Sequence, residues 1–183
     1  MSEITKEHVN AFEHANEIMA ALQKGVLLTS KVDGKLNSMT IAWGTLGIEF
    51  SKPLFITFVR QGRFTHELLA KNPEFTINIP VGAFDRKILG ICGSKSGRDM
   101  DKISASGLTP VEPEVISVPG FKELPLTLEC RVVYSQKQDL DRLYTPYRES
   151  CYPADVPGTF PMANRDAHTA FYGEIVSAYI IKG

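Results

Sequence analysis

The 183-residue sequence has no long apolar run, no excess of either charge and few cysteines. No stretch approaches the roughly 20 apolar residues that a membrane-spanning helix needs, so no membrane segment is expected. The 20 Lys and Arg and 21 Asp and Glu residues leave a formal net charge of -1, which gives no overall reason to expect nucleic acid or an acidic membrane as a partner. The N-terminus lacks the basic start and apolar stretch of a signal peptide, and we therefore expect a cytoplasmic protein.

Several site motifs are also absent from the sequence. Cys92, Cys130 and Cys151 form no CxxC pair and no Cys/His cluster with zinc spacing, which argues against a disulfide framework and a structural metal. Neither GxGxxG nor GxxxxGK(S/T) occurs, so neither a Rossmann nor a P-loop nucleotide site is expected. No GxSxG motif accompanies the scattered Ser, His and Asp residues, which argues against a serine nucleophile.

The apolar pattern predicts one mainly β domain over residues 1–183. Helices are predicted at 7–23, 65–70, 84–91 and 99–104, the last capped by Asp99 and stopped by Gly107. Strands are predicted at 26–30, 36–43, 54–59, 75–79, 124–134 and 171–181, the first two joined by a hairpin turn at Asp33-Gly34. Hairpin-joined strands with inserted helices favour an antiparallel β-barrel over a doubly wound parallel sheet.

The segment after this hairpin is the first candidate binding site. Met39, Ile41 and Trp43 alternate as in a half-buried strand, and a purely structural role is one interpretation of the pattern. The small hydroxyl and amide side chains around them suit a flat polar heterocycle, which needs donors and acceptors at its edge. The candidate residues are Asn37, Ser38, Met39, Thr40, Ala42 and Trp43.

A second cluster stands where a strand is followed by a helix. Arg60 ends the strand, and Arg63, Thr65 and His66 lie at the start of the helix. A helix N-terminus binds anions through its free backbone N–H groups and its dipole, and added Arg and Thr side chains would make a phosphate site. The alternative is a threonine cap beside solvated arginines.

A third cluster is the polar run 94–102, which contains Ser94, Ser96, Gly97, Arg98 and Lys102. One interpretation is a flexible loop that enters a helix, with Asp99 as the cap and a solvated Lys102. The other is that Lys102, one turn into the helix, reaches back to a phosphate. Asn78, in the strand 75–79, is a further polar candidate.

The order of these segments resembles that of the flavin reductase-like family, which includes the flavoredoxins and binds FMN on a split β-barrel. Asn37-Ser38-Met39-Thr40 followed by Ala42-Trp43 is similar to the flavin-contacting segment of that family. Residues 96–102 are similar to its Ser-Gly-Arg-Asp-x-Asp-Lys signature, and Gly173-Glu174-Ile175 to its final Gly-Glu-Val. The resemblance extends over most of the chain.

The resemblance implies an FMN site and assigns roles within it. Arg60 and Thr65, with His66 beside them, would hold the phosphate, and His168 would lie near the flavin or the nicotinamide as a hydride-site residue. The cofactor-binding residues implied are Asn37, Ser38, Met39, Thr40, Ala42, Trp43, Arg60, Thr65, His66, Asn78, Ser94, Ser96, Gly97, Arg98 and Lys102.

The implied activity is that of an NAD(P)H-dependent flavin reductase, with the nicotinamide nucleotide as a transient electron donor. An FMN electron carrier of the flavoredoxin kind, and a flavin- or haem-binding storage or sensing module, are the alternatives. The family also implies a homodimer and allows a downstream electron-acceptor protein. The segment 136–166, rich in Tyr and Pro, departs from the family and predicts a lid or a docking surface.

Overall fold

The computed structural model describes residues 3–153 and 166–183, and in these residues a single large sheet dominates. Its strands are β1 Thr5–His8, β2 Val26–Val32, β3 Lys35–Ile41, β4 Gly44–Glu49, β5 Lys52–Arg60, β6 Glu74–Ile79, β9 Leu126–Lys137 and β10 His168–Lys182. The short strands β7 Pro110–Val111 and β8 Gly120–Phe121 form a separate pair. The helices are α1 Ala15–Leu22, α2 Phe64–Lys71, α3 Lys87–Ser94, α4 Lys102–Ser106 and α5 Thr145–Cys151, with a 3-10 turn at Leu140–Arg142.

The large sheet is antiparallel, as the sequence predicted, and it does not close into a complete barrel. Its strand order is β3-β2-β6-β9-β10-β5-β4, and β1 pairs with the last residues of β10. β10 pairs with β9 along most of its length and with β5 only over His168 to Glu174. The curled sheet encloses an apolar core to which Phe55, Phe75 and Leu128 contribute, and Ile18 of α1 closes it.

A second layer covers the outer face of the sheet. α3, α4 and residues 107–125 pack there around an apolar cluster that includes Leu27 and Phe121. Buried polar side chains of the sheet form hydrogen bonds with the backbone of this layer. The Glu129 carboxylate accepts hydrogen bonds from the N–H groups of Glu114, Val115 and Ile116 at 2.7 to 3.1 Å. The second layer is therefore fixed to the sheet by hydrogen bonds as well as by apolar contact.

The N-terminal helix is shorter than predicted. It begins at Ala15, whereas Thr5–His8 form β1 on the edge of β10. The last part of β10 offers an edge that β5 does not reach, so the chain before α1 gains backbone hydrogen bonds as a strand. Helical spacing of apolar residues could not show this competing partner.

The predicted strand 36–43 is also divided. β3 ends at Ile41, and after Ala42-Trp43 the chain enters β4, which the sequence did not predict. The β4–β5 turn places Phe50 and Ser51 at φ values of 54° and 57°. Such turns normally carry Asn or Gly at these positions, so the hairpin had no recognisable turn signal.

Two further helix boundaries differ from the prediction. α3 begins at Lys87 instead of 84, and α4 is capped by Asp101 instead of Asp99. The Asp101 carboxylate accepts from the N–H groups of Ile103 and Ser104 at 3.0 and 3.2 Å. Gly107 ends α4 in the left-handed conformation, as predicted.

The segment 136–166 is described only in part. β9 extends to Lys137, and α5 follows the 3-10 turn. Residues 154–165, including Phe160, lie outside the described residues. Among the residues that are described, no helix has the length and apolar character needed to cross a membrane.

Candidate functional site

A groove lies at the gap where the curled sheet stays open. Its first cavity, of about 160 Å³, lies between the ends of β3 and β5 and the start of β10. Its second cavity, of about 110 Å³, lies between β3, the start of α2 and the α3–α4 loop. Met39 and Arg63 line both cavities, which therefore form one groove. β3 and β5 stand far apart in the strand order, so only the curl of the sheet brings them to one site.

Lys102 brings a buried positive charge to the second cavity. The residue is only 5% exposed, and its Nζ donates to the Cys92 carbonyl oxygen at 3.2 Å. Burial lowers the pKa of the ammonium, and the charge of Arg63 lowers it further against an opposing effect of Cys92. Within residues 3–153 and 166–183 no carboxylate pairs with Lys102. A buried cation without a counter-charge is costly, so this cavity favours an anionic ligand.

Asn37 and Thr65 add neutral polar groups beside Lys102. Asn37 Nδ2 donates to Thr65 Oγ1 at 2.8 Å, which leaves the Thr65 hydroxyl proton for another acceptor. Asn37 Oδ1 is buried and has no hydrogen-bond partner among the described residues. Buried polar atoms are rarely left unpaired, and here the unpaired atom belongs to a residue that lines the cavity.

Gly97 allows the α3–α4 loop to approach β3 closely. A Cβ atom on Gly97 would overlap the Asn37 side chain and crowd the Phe64 ring. The loop therefore passes directly over Asn37, and any larger residue at position 97 would displace it. A cation, a hydroxyl donor and an amide acceptor thus converge in a narrow cavity, as a phosphate ester with a hydroxylated chain would require.

The first cavity has flat walls. The rings of Trp43 and His168 are 5.0 Å apart at 37°. His168 Nδ1 lies 2.7 Å from the Tyr152 hydroxyl oxygen. Burial lowers the pKa of His168 to about 4. The charges of Arg60 and Arg63 also lower this pKa, whereas the charge of Asp166 raises it. The imidazole is therefore neutral at pH 7, so a planar ligand could lie against an uncharged ring.

Arg60 forms an ion pair with Asp166. The Arg60 Nε and Nη2 atoms lie 2.7 and 2.6 Å from Asp166 Oδ1, and the Gly62 N–H donates to Oδ2 at 2.6 Å. Burial raises the pKa of the Asp166 carboxyl, but these hydrogen bonds and the charge of Arg60 outweigh it, so the net pKa is lowered. Arg60 lies at the first cavity, away from Lys102, and its assignment to a phosphate stays a prediction.

Arg63 was part of the sequence cluster but was not assigned to the cofactor. It lines both cavities, and its guanidinium makes no hydrogen bond within the described part of the chain. Burial and the charge of Arg60 lower its pKa, against an opposing effect of Asp166. Its place at the N-cap of α2 was the signal that could have identified it.

The structure brings most of the sequence-predicted residues to the groove. Those that line it are Asn37, Met39, Thr40, Ala42, Trp43, Arg60, Thr65, Ser96, Gly97, Arg98, Lys102 and His168. Thr40 also has a structural role, because its hydroxyl donates to the Leu89 carbonyl oxygen at 2.6 Å and so holds α3 against β3. Besides Arg63, the prediction missed Ile41, Phe58, Gly62, Phe64, Cys92 and Lys95.

Four predicted residues do not line either cavity. Ser38 and Asn78 are buried in the sheet, where both approach Thr29 Oγ1, at 3.0 and 3.1 Å. His66 Nε2 lies 2.9 Å from Thr169 Oγ1, and the exposed Ser94 donates to the carbonyl oxygen of Gly90. Alternation along β3 explains Ser38, because adjacent residues of a strand face opposite sides of the sheet.

A larger cavity continues the groove beyond Gly97. It has a volume of about 510 Å³ and is lined by Lys35, Met100 and Ser104 among others. Lys35 and Arg98 both lie over the Phe64 ring, and Arg98 pairs with Glu67. The Lys102 end of the groove is thus bordered by charges of both signs, since Asp99 and Asp101 also line this cavity.

The chain is similar to several known proteins. The model of a family described as flavin reductase like domain matches residues 19–183. An uncharacterized protein of Archaeoglobus fulgidus is 34% identical over 107 residues, which are 58% of this chain and 59% of that protein. The uncharacterized protein YddH of Escherichia coli is 33% identical over 124 residues, 65% of each. The matched part of the chain thus spans less than two thirds of the length of these curated relatives.

Solved structures show the same fold. The flavoredoxin from Methanosarcina acetivorans is 27% identical, with a TM-score of 0.61 over 85% of this chain and 67% of that chain. An NADH:FAD oxidoreductase of Streptomyces globisporus is 18% identical, with a TM-score of 0.58 over 84% of this chain and 73% of that chain. At 18% identity, the similarity to the oxidoreductase shows only a shared fold.

Proposed function

Because this chain belongs to the flavin reductase-like family, we propose that it binds FMN in the groove and passes electrons to it from a reduced nicotinamide nucleotide. The observation that carries the proposal is the buried Lys102 ammonium, which has no carboxylate partner in the described structure and stands beside Asn37 and Thr65. This end of the groove suits the phosphate of FMN, and the flat walls at the other end suit its ring.

The residues of the groove divide the binding between them. Lys102 and the Thr65 hydroxyl would hold the phosphate, with Arg63 contributing charge between the two cavities. The unpaired Asn37 Oδ1 would accept a hydrogen bond from the hydroxylated chain of the ligand. Trp43 and His168 would orient the ring and exclude water from one side. A bound flavin would supply the redox chemistry itself, and the polypeptide supplies position and electrostatics.

An FMN electron carrier without nicotinamide activity is the second candidate. The 27% identity to the Methanosarcina acetivorans flavoredoxin favours it. Such a carrier would receive its electrons from a protein and would need no room for nicotinamide. The two candidates share the FMN site and differ only in the electron donor.

The decisive experiment is anaerobic addition of NADH, and then of NADPH, to the FMN-loaded protein. Bleaching of the visible flavin band within the mixing time would support the reductase and identify the donor. A flavin that stays oxidised with both nucleotides but bleaches with dithionite would overturn nicotinamide dependence and support the carrier. Failure of the protein to bind FMN would overturn both candidate functions.

We also propose a cytoplasmic homodimer, which would hand electrons to a downstream acceptor protein in the carrier case. The family resemblance implies the dimer, but Ile18 and Leu22 on the apolar face of α1 are buried in the chain's own core. Phe12 and Met19 remain 39% and 36% exposed and are what a second copy could cover. Light scattering that gives the mass of a stable monomer with FMN bound would overturn the dimer.

A further inference from the structure

The side chains of Gln138, Tyr152 and His168 form a hydrogen-bonded row that ends at the first cavity. Tyr152, which follows α5, places its hydroxyl oxygen 2.7 Å from both Gln138 Oε1 and His168 Nδ1. The Tyr152 and His168 rings are 5.7 Å apart and nearly perpendicular, at 85°. The backbone of Gln138 is fixed, because its N–H donates to the His168 carbonyl oxygen at 2.8 Å.

The hydrogen bonds among these three side chains favour one neutral tautomer of His168. The Tyr152 hydroxyl has one proton, and it donates this proton to Gln138 Oε1. Only a lone pair of the Tyr152 oxygen is then left for His168, so Nδ1 carries the hydrogen of the neutral imidazole. Nε2 is left with a lone pair, and it has no hydrogen-bond partner within the described residues.

The charged groups around the imidazole support this neutral form. Arg60 and Arg63 face His168 from β5 and from the start of α2, and Asp166 faces it from the start of β10. Among the described residues, Tyr152 is a further titratable neighbour, and burial raises its pKa to about 12, so its hydroxyl keeps its proton at pH 7. Burial and the charges of the two arginines oppose protonation of Nε2.

We infer that Tyr152 is a positioning residue for His168: with Gln138 it holds the imidazole as the Nδ1–H tautomer, so that the Nε2 lone pair accepts a hydrogen bond from an N–H or O–H donor of the ligand in the first cavity. This rests on the proposed function, whose ligands carry such donors at the flavin ring edge and in the nicotinamide carboxamide. A ligand that offers only a carbonyl oxygen to Nε2 is disfavoured, because two lone pairs would face each other.

Nitrogen-15 NMR of the histidine-labelled protein without flavin tests the tautomer directly. The unprotonated nitrogen of a neutral imidazole resonates far from the protonated one, and loss of the signals in His168→Gln assigns them. We expect His168 to show protonated Nδ1 and unprotonated Nε2 at pH 7. Protonated Nε2 in the native protein would overturn the inference.

Substitutions at two positions separate positioning from folding. Tyr152→Phe removes the acceptor for Nδ1–H, and Gln138→Leu frees the Tyr152 proton to donate to Nδ1, so both should shift His168 toward the Nε2–H tautomer. Gln138→Glu keeps an acceptor for the Tyr152 proton and should retain the native tautomer. Tyr147→Phe, which removes an exposed hydroxyl from the preceding helix α5, is the matched control and should change nothing. Identical spectra for Tyr152→Phe and Tyr147→Phe would refute the role of Tyr152.

The ligand part is tested by adding FMN, and then NAD⁺, to the labelled protein. A hydrogen bond to Nε2 should move its resonance toward the protonated range with one of the two probes. A resonance unmoved by both, while the visible spectrum reports FMN binding, would overturn this part and leave the proposed function intact. Failure of FMN to bind at all would overturn the proposed function, and the tautomer of the flavin-free protein would still be measured.

In the nicotinamide assay we expect Tyr152→Phe to slow bleaching by up to about tenfold, as for one misdirected hydrogen bond.

Discussion

At the scale of single residues, Lys102 links stability to binding. Its ammonium is buried with one carbonyl partner, so the folded protein holds a charge that a bound anion would neutralise. Function and stability therefore make opposite demands on this position, as is common at binding sites. The surrounding chain keeps the charge in place through the Asp101 cap and the backbone of Cys92.

Lys102→Gln should therefore weaken FMN binding while leaving the flavin-free protein at least as stable as the native one. A lost charge-assisted hydrogen bond corresponds to about 1.5–3 kcal/mol of binding free energy. Fluorescence titration with FMN measures this loss, and riboflavin, which has no phosphate, should bind both proteins equally. The exposed Lys122→Gln is the control. Equal FMN affinities for Lys102→Gln and Lys122→Gln would remove Lys102 from the phosphate site.

The Asp166 carboxylate should make stability depend on pH. Its pKa is lowered in the folded protein, so its contribution is present above the pKa of the unfolded chain and is lost as pH falls through the lower folded pKa. Urea unfolding should show native protein more stable than Asp166→Asn at pH 7, with the difference shrinking below about pH 4. Asp141→Asn, at an ion pair whose carboxylate is 85% exposed, should show a smaller difference at pH 7. A pH-independent gap for Asp166→Asn would contradict this account.

At the scale of elements, short polar caps place the binding residues. α4 has only five residues, and Asp101 caps it through the N–H groups of Ile103 and Ser104. Lys102 is the first residue of this helix, so its direction depends on the cap. The sequence suggested Asp99 for this role because both aspartates precede the same apolar residues, and only the observed hydrogen bonds distinguish them.

Asp101→Ala should destabilise the protein by about 1 kcal/mol, the usual cost of a lost N-cap. Asp99→Ala should have almost no effect, since Asp99 is exposed in the turn before the helix. Chemical denaturation of the two variants provides the comparison. If Asp99→Ala were the more destabilising of the two, the cap would be assigned to the wrong residue.

The long strand β10 joins several parts of the site. Its first residue, His168, faces the groove, and its last residues pair with β1. Asp166, which precedes this strand, contacts Arg60 at the end of β5 and the Gly62 N–H in the loop before α2. A strand prediction from sequence began at 171, because Ala167 to Ala170 carry no strong β pattern; pairing with β5 extends the strand to His168.

At the scale of the whole molecule, the groove is a consequence of an incompletely closed sheet. β3 and β5 approach each other without pairing, and the space between them is the first cavity. A ligand there would contact β3, β5, β10 and the helical layer together. Binding should therefore stabilise the whole fold against unfolding.

FMN at 100 times its dissociation constant should raise the unfolding free energy by about 2.7 kcal/mol. For a chain of this size that corresponds to a rise in melting temperature of roughly 5–10 °C. Thermal unfolding with FMN, riboflavin or no ligand measures it, and riboflavin at the same concentration should give a smaller rise because it leaves the second cavity unfilled. No rise with FMN would contradict binding to the folded protein.

The amino-acid sequence by itself determined the local features of this protein. The Asp33-Gly34 hairpin, with φ values of 50° and 77°, and the Gly107 helix end follow from residues that tolerate left-handed backbone. The apolar runs of β2, β5, β6 and β9 were recognisable because they are dominated by burial. The order of the polar segments was enough to indicate the family and most of the groove.

Only the tertiary structure decided which polar groups meet. The pairing of Thr5–His8 with β10, the Arg60–Asp166 ion pair and the contact of Tyr152 with His168 join residues distant along the chain. The unpaired Asn37 Oδ1 and the buried Lys102 likewise exist only once α2 and α4 pack beside β3. Local propensity depends on neighbours along the chain, whereas burial and hydrogen-bond partners depend on which distant segments the curled sheet brings together.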